Sequence, residues 1–210
     1  MPSYKLIYFN VRGRAETARM LLALGGCEFV DERFEVAEWP QRKPDTETFP
    51  IGQAPVLMVD DRVIPQSKAI NRYLARKFDL YGANDFERTE IDIVLETMND
   101  LELKATLIYA HHPPEDEMAR LKKEFAEKTS KPYISYLDQL IKKAGGKNFV
   151  GNKISLADIH VFTMLEMFTD SARGIEGVLD DYPDLRAFYK YFKEEGPLKS
   201  YIASRPAADY

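Results

Sequence analysis

Strand patterns and helix patterns alternate over the first 80 residues of this chain, and only helix patterns follow. In the first part, short apolar runs such as VLMV at 56–59 suit buried strands, and apolar residues recur at helical spacing between such runs. In the rest of the chain, spacing of three and four residues dominates. Because 210 residues suit two small domains, we predict an α/β domain over 1–79, a linker over 80–84 and an all-helical domain over 85–210.

The order of the elements constrains the first domain further. It is β-α-β followed by β-β-α, which predicts a thioredoxin-like domain with helices packed on a mixed sheet. A polar stretch with several prolines separates the two halves and predicts a long irregular loop, a kind of segment that is often functional. The predicted strands cover 4–10, 28–34, 56–59 and 62–64, the helices cover 14–24 and 67–78, and the loop covers 38–54.

The second domain contains helix signals alone. Ser155 and Asp158 have the spacing of a capping box, and Ile154 and Ile159 are placed to form a hydrophobic staple around it. We therefore expect a structural role for these residues at the start of the most apolar helix. The predicted helices cover 86–110, 115–143, 155–170, 183–194 and 197–203.

Charge and composition exclude several classes of protein. The formal net charge of −5 offers no basic surface for nucleic acid or an anionic membrane. Cys27 is the single cysteine, which fits a reducing compartment, and His111 and His112 have no partner at metal-ligand spacing. No run approaches 18 apolar residues, and residues 1–10 lack the apolar core of a signal peptide. We expect a cytoplasmic protein that binds neither nucleic acid, nor membrane, nor metal.

Two features of the first domain suit a bound peptide. Tyr8 lies just before the chain turns out over the sheet edge, where it is either a half-buried strand tyrosine or a hydroxyl donor to a ligand. Pro55 closes the long loop directly before a strand. A cis bond between Ala54 and Pro55 would turn the N–H and C=O of Val56 toward an extended peptide, whereas a trans bond would simply begin the strand.

Polar groups in the same domain suit a ligand that carries carboxylates. Ser67 is a preferred N-cap residue, and the helix that Gln66 and Ser67 open presents N–H groups and a positive dipole end. Trp39 lies with Lys43 in the polar loop, where the indole either anchors the loop or lines a ligand pocket. Together these groups favour a small peptide with two carboxylates as the ligand.

Several separated segments of the chain carry a family resemblance, and they occur in the family's order. YFNVRGRAE, DERFEVAEWP, APVL and IPQSKAINRYLAR resemble the glutathione-binding half of sigma-class cytosolic glutathione transferases, and GNKISLADIHVF and SRPAADY resemble their second half. The likeness covers the full chain. It implies the cytosolic glutathione transferase fold and a detoxifying enzyme that conjugates the glutathione thiolate to small hydrophobic electrophiles.

The resemblance also implies roles for individual residues. Tyr8 would donate a hydrogen bond to the glutathione sulfur, and Arg14 would lean toward the sulfur and its electrophile. The backbone of Val56 would pair with the cysteinyl unit, the Gln66-Ser67 pair would hold the γ-glutamyl end, and the long loop would hold the glycine carboxylate. The implied glutathione-binding residues are Tyr8, Arg14, Trp39, Lys43, Gln53, Val56, Gln66, Ser67, and Asp100 from a partner subunit.

A homodimer and an electrophile pocket follow from the same resemblance. Asp100 matches an acidic residue that reaches the γ-glutamyl amine in the neighbouring subunit, which requires a two-fold dimer. Phe9, Leu107, His160 and Met164 match positions that line the pocket. Leu107 and Met164 suit helical core equally well, and a histidine on an apolar helix is usually a core residue.

Two alternatives from the same class stay open. The first is a glutathione-dependent isomerase of the prostaglandin type. Asn99 stands where the metal-sensitive prostaglandin D synthases carry an acid, and Leu107 stands where they carry a tryptophan, so both changes argue against it. The second is a lens crystallin or ligand carrier. Such crystallins have an insertion between the first two long helices and are rich in Met, whereas this chain has a short connection at 110–114 and 7 Met.

Overall fold

The computed structural model describes residues 2–109, 113–169 and 174–208. The contacts divide the chain into two compact units. The first holds the chain up to Leu80 together with the segment that begins at Pro197, and the second runs from Tyr81 to Gly196. Within the described residues, no helix combines the length and the apolar character that crossing a membrane requires.

The first unit contains a four-stranded mixed sheet within the described residues. Its spatial order is β2-β1-β3-β4, with β1 parallel to β2 and the other neighbouring strands antiparallel. The β-α-β connection followed by a hairpin agrees with the order of elements that the sequence predicted, and its strands pair in this spatial order. The strands are β1 (Tyr4–Phe9), β2 (Val30–Phe34), β3 (Val56–Val59) and β4 (Arg62–Pro65).

Helices of the first unit cover the sheet and interrupt the long loop. They are α1 (Glu16–Leu24), α2 (Trp39–Arg42) and α3 (Ser67–Lys77), and α1 packs against α3. One-turn 3-10 segments precede α1 at Gly13–Ala15 and α2 at Val36–Glu38. The prediction of an irregular loop over 38–54 was therefore wrong at its start. Glu35 and Glu38 form a capping box there, and Pro40 sits in the first turn of α2, where its missing N–H costs no hydrogen bond.

The second unit is helical in the part that the structure describes, and α7 forms its centre. Nearly every residue of α7 is buried, and α4 packs against it. The predicted helix over 115–143 is split by a π turn at Phe125–Thr129, because Pro132 begins a new helix and cannot continue an old one. Ala110 and Asp170, the expected ends of two helices, lie outside the described residues. The helices are α4 (Asp85–Tyr109), α5 (Glu115–Glu124), α6 (Lys131–Lys143), α7 (Leu156–Thr169) and α8 (Pro183–Glu194).

Asp158 anchors the start of α7. Its Oδ2 accepts hydrogen bonds from the backbone N–H and the hydroxyl of Ser155 at 2.7 and 2.9 Å, which confirms the expected structural role of this pair. Its Oδ1 accepts a bond of 2.7 Å from the backbone N–H of Phe149. Burial raises the pKa of Asp158 to about 6 against the opposing effect of these donors. The carboxylate therefore ties the preceding loop to the helix.

The C-terminal helix α9 (Lys199–Ser204) belongs by its contacts to the first unit, although we expected it in the helical domain. The Tyr201 hydroxyl donates to Glu16 at 3.1 Å, and the Arg205 guanidinium donates to the same oxygen at 2.9 Å. Farther on, the carbonyl of Ala208 accepts a bond of 3.0 Å from Arg12. These polar contacts join α9 to the first unit. Helical periodicity predicts the helix but carries no information about such contacts, so its place in the first unit was not expected.

Candidate functional site

Tyr8 lies near the end of β1, under the turn that leads into α1. Its side chain is 8 % exposed, and the backbone N–H of Arg14 donates to its hydroxyl oxygen at 3.4 Å. A phenol that accepts a hydrogen bond becomes a stronger donor through its own O–H, because hydrogen bonds in a chain polarise one another. The Arg14 side chain is exposed. The turn thus supplies a backbone donor to the Tyr8 hydroxyl.

Gly13 allows the turn to approach the phenol this closely. Its φ is +40°, and a Cβ at this position would lie 3.0 Å from Oη and 3.2 Å from Cε1 of Tyr8. Both the left-handed backbone and the close contact favour glycine. Gly13 was not predicted from the sequence, although a glycine between two arginines after a strand was an available signal.

The strand that follows the long loop begins as the family resemblance implies. The Ala54–Pro55 peptide bond is cis, and Val56 is the fully buried first residue of β3. Val56 pairs with Ile7 on one side and with Pro65 on the other. Since proline has no N–H, Pro65 cannot donate a hydrogen bond to the Val56 carbonyl.

The start of α3 differs from the expectation in its capping. Gln66, with φ 73° and ψ 107°, occupies the N-cap position, and Ser67 is the first helical residue. The Gln66 side chain makes no capping hydrogen bond, and the first bond of the helix runs from the Ile70 N–H to the Gln66 carbonyl. A serine cap was therefore the wrong prediction, because the left-handed Gln66 displaces the boundary by one residue. The N–H groups of the first turn and the positive dipole end suit a carboxylate.

Trp39 anchors the long loop on an aromatic cluster. Its ring stacks on Phe34 at 5.8 Å between centroids and makes edge contacts with Phe9 at 5.5 Å and Phe49 at 5.1 Å. Such pairs are worth about 0.5–1.5 kcal/mol beyond the area that they bury. The indole remains partly exposed. It therefore fulfils the anchoring role and still presents an edge to the surface.

Lys43 and Gln53 both lie on the surface of this loop. Both side chains are exposed, and Cε of Lys43 lies 3.4 Å from the position that a Cβ on Gly52 would occupy. The lysine stem therefore lies beside Gly52, and a ligand shared by Lys43 and Gln53 stays a prediction.

Of the residues predicted for the rest of the site, Phe9 lies on β1 in the first unit, and the others lie in the second unit. Asp100 is exposed on α4, and Leu107 on the same helix is 65 % exposed, which excludes the core interpretation for it within this chain. His160 and Met164 are buried on α7. The electrophile pocket and the contact from a partner subunit stay predictions. Within the ranges that the structure describes, no group of three or more His, Cys, Asp or Glu could hold a metal ion.

The first unit also contains a buried ion network that was not predicted from the sequence. Arg19 on α1 bonds through its guanidinium to Glu16 on the same helix and to Asp31 on β2. Glu16 also accepts the bonds from Tyr201 and Arg205. Burial, followed by the charge of Glu16, raises the pKa of Tyr201. The available signal was a pair of opposite charges, Glu16 and Arg19, at helical spacing among apolar residues.

Comparisons with known proteins agree with this geometry. Residues 4–76 match the family model of the glutathione S-transferase N-terminal domain, and residues 99–205 match that of the C-terminal domain. A glutathione S-transferase of Anopheles gambiae is 35% identical over 211 residues, covering 100% of both chains. The Fasciola hepatica sigma class enzyme has a TM-score of 0.88 at 31% identity, covering 100% of this chain and 99% of its own. Prostaglandin synthase D of Nilaparvata lugens has a TM-score of 0.85 at 32% identity, covering 98% and 100%. With two family models and full-length relatives in agreement, the chain belongs to the glutathione S-transferase family.

Proposed function

We propose that this glutathione transferase is of the sigma class and transfers the glutathione thiolate to small hydrophobic electrophiles, with Tyr8 as the thiol-activating residue. The observation that carries the proposal is the Tyr8 hydroxyl, which lies under a turn whose Arg14 N–H donates to it at 3.4 Å. The similarity to the Fasciola hepatica sigma class enzyme supports the class.

The chemistry requires the thiol to lose its proton near neutral pH. A free thiol has a pKa of about 8.5, so only a few per cent is ionised there, and the thiolate is the nucleophile. A charge-assisted hydrogen bond stabilises an anion by roughly 2–3 kcal/mol, which lowers the thiol pKa by about two units. A hydrogen bond from Tyr8 would therefore leave most of the bound glutathione ionised.

The rest of the molecule would then bind and orient glutathione. We assign the γ-glutamyl carboxylate to the open N-terminus of α3 at Gln66 and Ser67, because free N–H groups and a positive dipole end favour an anion. The backbone of Val56 would pair with the cysteinyl unit. The glycine carboxylate would lie beside Lys43, close to Trp39 and Gln53.

The remaining parts of the proposal concern assembly and the second substrate. Asp100 of a partner subunit would reach the γ-glutamyl amine, which makes the active enzyme a homodimer. Phe9, Leu107, His160 and Met164 would line the electrophile pocket, and Arg14 would lie near the reacting sulfur. We propose detoxification in the cytoplasm as the physiological role.

Tyr8→Phe tests the central assignment. Ultraviolet titration of the enzyme–glutathione complex should give a thiol pKa of about 6.5 in the wild type and a value near 8.5 in the variant. The conjugation rate of an aryl halide at about pH 6.5 should fall by one to two orders of magnitude, the factor that one to two pKa units represent.

Tyr4→Phe is the matched control for this experiment. It removes the same atom from a buried tyrosine of the same strand, four residues away. This variant should keep the wild-type thiol pKa. An unchanged thiol pKa in Tyr8→Phe would refute the proposed role of Tyr8.

A prostaglandin-type isomerase is a second candidate, favoured by the likeness to the Nilaparvata lugens prostaglandin synthase D. Asn99 argues against it, because this position carries a neutral amide rather than an acid. The Asn99 side chain is buried and donates a hydrogen bond to Glu96 at 2.9 Å. Incubation with a prostaglandin endoperoxide and glutathione decides between the two. Rapid, specific isomerisation together with slow conjugation would reverse our order of preference.

A further inference from the structure

A buried guanidinium holds the turn that contacts Tyr8. Arg19 is 1 % exposed, and its Nη1 donates to the carbonyl oxygens of Val11 at 2.9 Å and Arg12 at 3.2 Å. These carbonyls belong to the two residues before Gly13, at which an added Cβ would lie 3.0 Å from the phenol oxygen, and the N–H that donates to the phenol belongs to the residue after it. Arg19 therefore holds the peptide groups that shape the surroundings of the hydroxyl.

Two carboxylates fix the orientation of this guanidinium. Its Nε donates to the two oxygens of Asp31 at 3.0 and 3.1 Å, and its Nη1 donates to Oε2 of Glu16 at 3.2 Å. Asp31 also accepts a bond of 2.7 Å from Arg33. A planar guanidinium with these partners cannot rotate without losing several charge-assisted bonds. The position of Nη1 against the turn is therefore set from β2 and from α1 at once.

Stability alone gives a weak reason for such a network. Replacing buried ion pairs by packed apolar side chains is often neutral or stabilising, because desolvation offsets the attraction. Two of the donated bonds go to backbone carbonyls of an irregular turn. Their effect is to define the path of the chain at that point.

We propose that Arg19 is a positioning residue for Tyr8, and that it keeps the turn in the geometry that aims the phenol at the glutathione sulfur. The inference rests on the proposed function, since it assigns Arg19 a role in the thiol activation by Tyr8. Arg19 itself touches neither substrate nor reacting atom. Its effect passes through the backbone of residues 11–14.

Arg19→Lys tests the proposal with the charge retained. An ammonium still neutralises Glu16 and Asp31, but its donors lie on one nitrogen, whereas Arg19 bonds Asp31 from Nε and the two carbonyls of the turn from Nη1. Lysine should therefore lose part of this fixed pattern of contacts. The thiol pKa of bound glutathione should rise by about one unit, and kcat/KM at about pH 6.5 should fall about fivefold. At alkaline pH, where the thiol is ionised in both proteins, kcat/KM should be nearly the same. A merely structural loss would instead lower kcat/KM at every pH.

Tyr201→Phe is the matched control, because it removes one bond to Glu16 and leaves both carbonyl contacts intact. It should keep the wild-type thiol pKa. Circular dichroism and urea unfolding establish that each variant is folded. Should Arg19→Lys fail to fold, Asp31→Asn loosens the same guanidinium from its other side, and a smaller rise of the thiol pKa is expected.

The outcomes separate the inference from the proposed function. The positioning role is overturned if Tyr8→Phe raises the thiol pKa but folded Arg19→Lys keeps the wild-type value. Asp31→Asn takes the place of Arg19→Lys in this comparison if the lysine variant does not fold. An equal rise in Tyr201→Phe also overturns the positioning role, since the effect would then be general loosening. If Tyr8→Phe leaves the thiol pKa unchanged, the proposed function fails and the inference fails with it.

Discussion

Replacing Gly13 by alanine should disturb the Tyr8 hydroxyl more than the fold. The added Cβ would lie 3.0 Å from Oη and 3.2 Å from Cε1 of Tyr8. Favourable contacts between carbon atoms lie at about 3.5–4.0 Å, so the phenol must move by about half an ångström. The bond from the Arg14 N–H is already 3.4 Å long, and this movement would weaken it further.

The magnitude follows from two separate terms. A left-handed backbone costs an L-residue roughly 1–2 kcal/mol, and the φ of +40° at Gly13 lies in that region. A misplacement of about 1 Å at a reacting group costs about 100-fold in rate, so about half of that distance corresponds to about tenfold. We therefore expect Gly13→Ala to lose roughly 1–2 kcal/mol in unfolding free energy and about tenfold in kcat/KM near pH 6.5.

Gly26→Ala supplies the matched control. Gly26 has φ +62°, so alanine meets a similar backbone cost there, and a Cβ at this position would meet no atom of the described residues within 4 Å. Urea unfolding should show a comparable loss of stability in both variants, whereas conjugation assays should show a loss of rate in Gly13→Ala alone. Equal rates in the two variants, or a wild-type thiol pKa in Gly13→Ala, would refute the reasoning.

Two further predictions concern stability and binding. Because the pKa of Asp158 is raised to about 6, the folded chain binds the proton of this carboxyl group more tightly than the unfolded chain does. The stability that the protonated carboxyl group contributes is therefore present below about pH 4 and lost as pH rises through about 6. Urea unfolding should show the wild type losing about 2 kcal/mol relative to Asp158→Asn between about pH 4.5 and about 7.5, and a difference that does not change with pH would contradict this. Lys43→Met should raise the KM for glutathione about two- to fivefold with little change in kcat, because an exposed ion pair is worth at most about 1 kcal/mol. A fall in kcat without a change in KM would place Lys43 at the chemistry instead.

Local patterns were sufficient for most of the first unit. β1 and β3 were predicted within one residue of their observed ends, because period-two and continuous apolar runs are local properties of the chain. The helix over 86–110 was found for the same reason, since its apolar residues repeat along one face. The thioredoxin-like arrangement then followed from the order of the elements.

Long-range polar contacts could not be predicted in this way. The partners of Glu16 at Tyr201 and Arg205 are 185 and 189 residues away in sequence, and no periodicity links them. The same limit explains why the contacts of α9 with the first unit were not expected. It also explains the missed role of Gly13, whose contact with Tyr8 depends on how the turn folds back rather than on spacing.

Tyr8 and Tyr201 show how environment assigns different roles to the same side chain. The Tyr201 hydroxyl donates to a carboxylate of the protein itself, and burial beside that carboxylate raises its pKa, so its proton is committed to holding α9. The Tyr8 hydroxyl instead accepts from a backbone N–H. An accepted bond strengthens the donor capacity of a phenol. The bonds that hold α9 and those that hold the turn beside Tyr8 meet in Arg19 and Glu16. Under the function and the positioning role proposed above, the geometry of the Tyr8 hydroxyl therefore depends on this buried polar cluster.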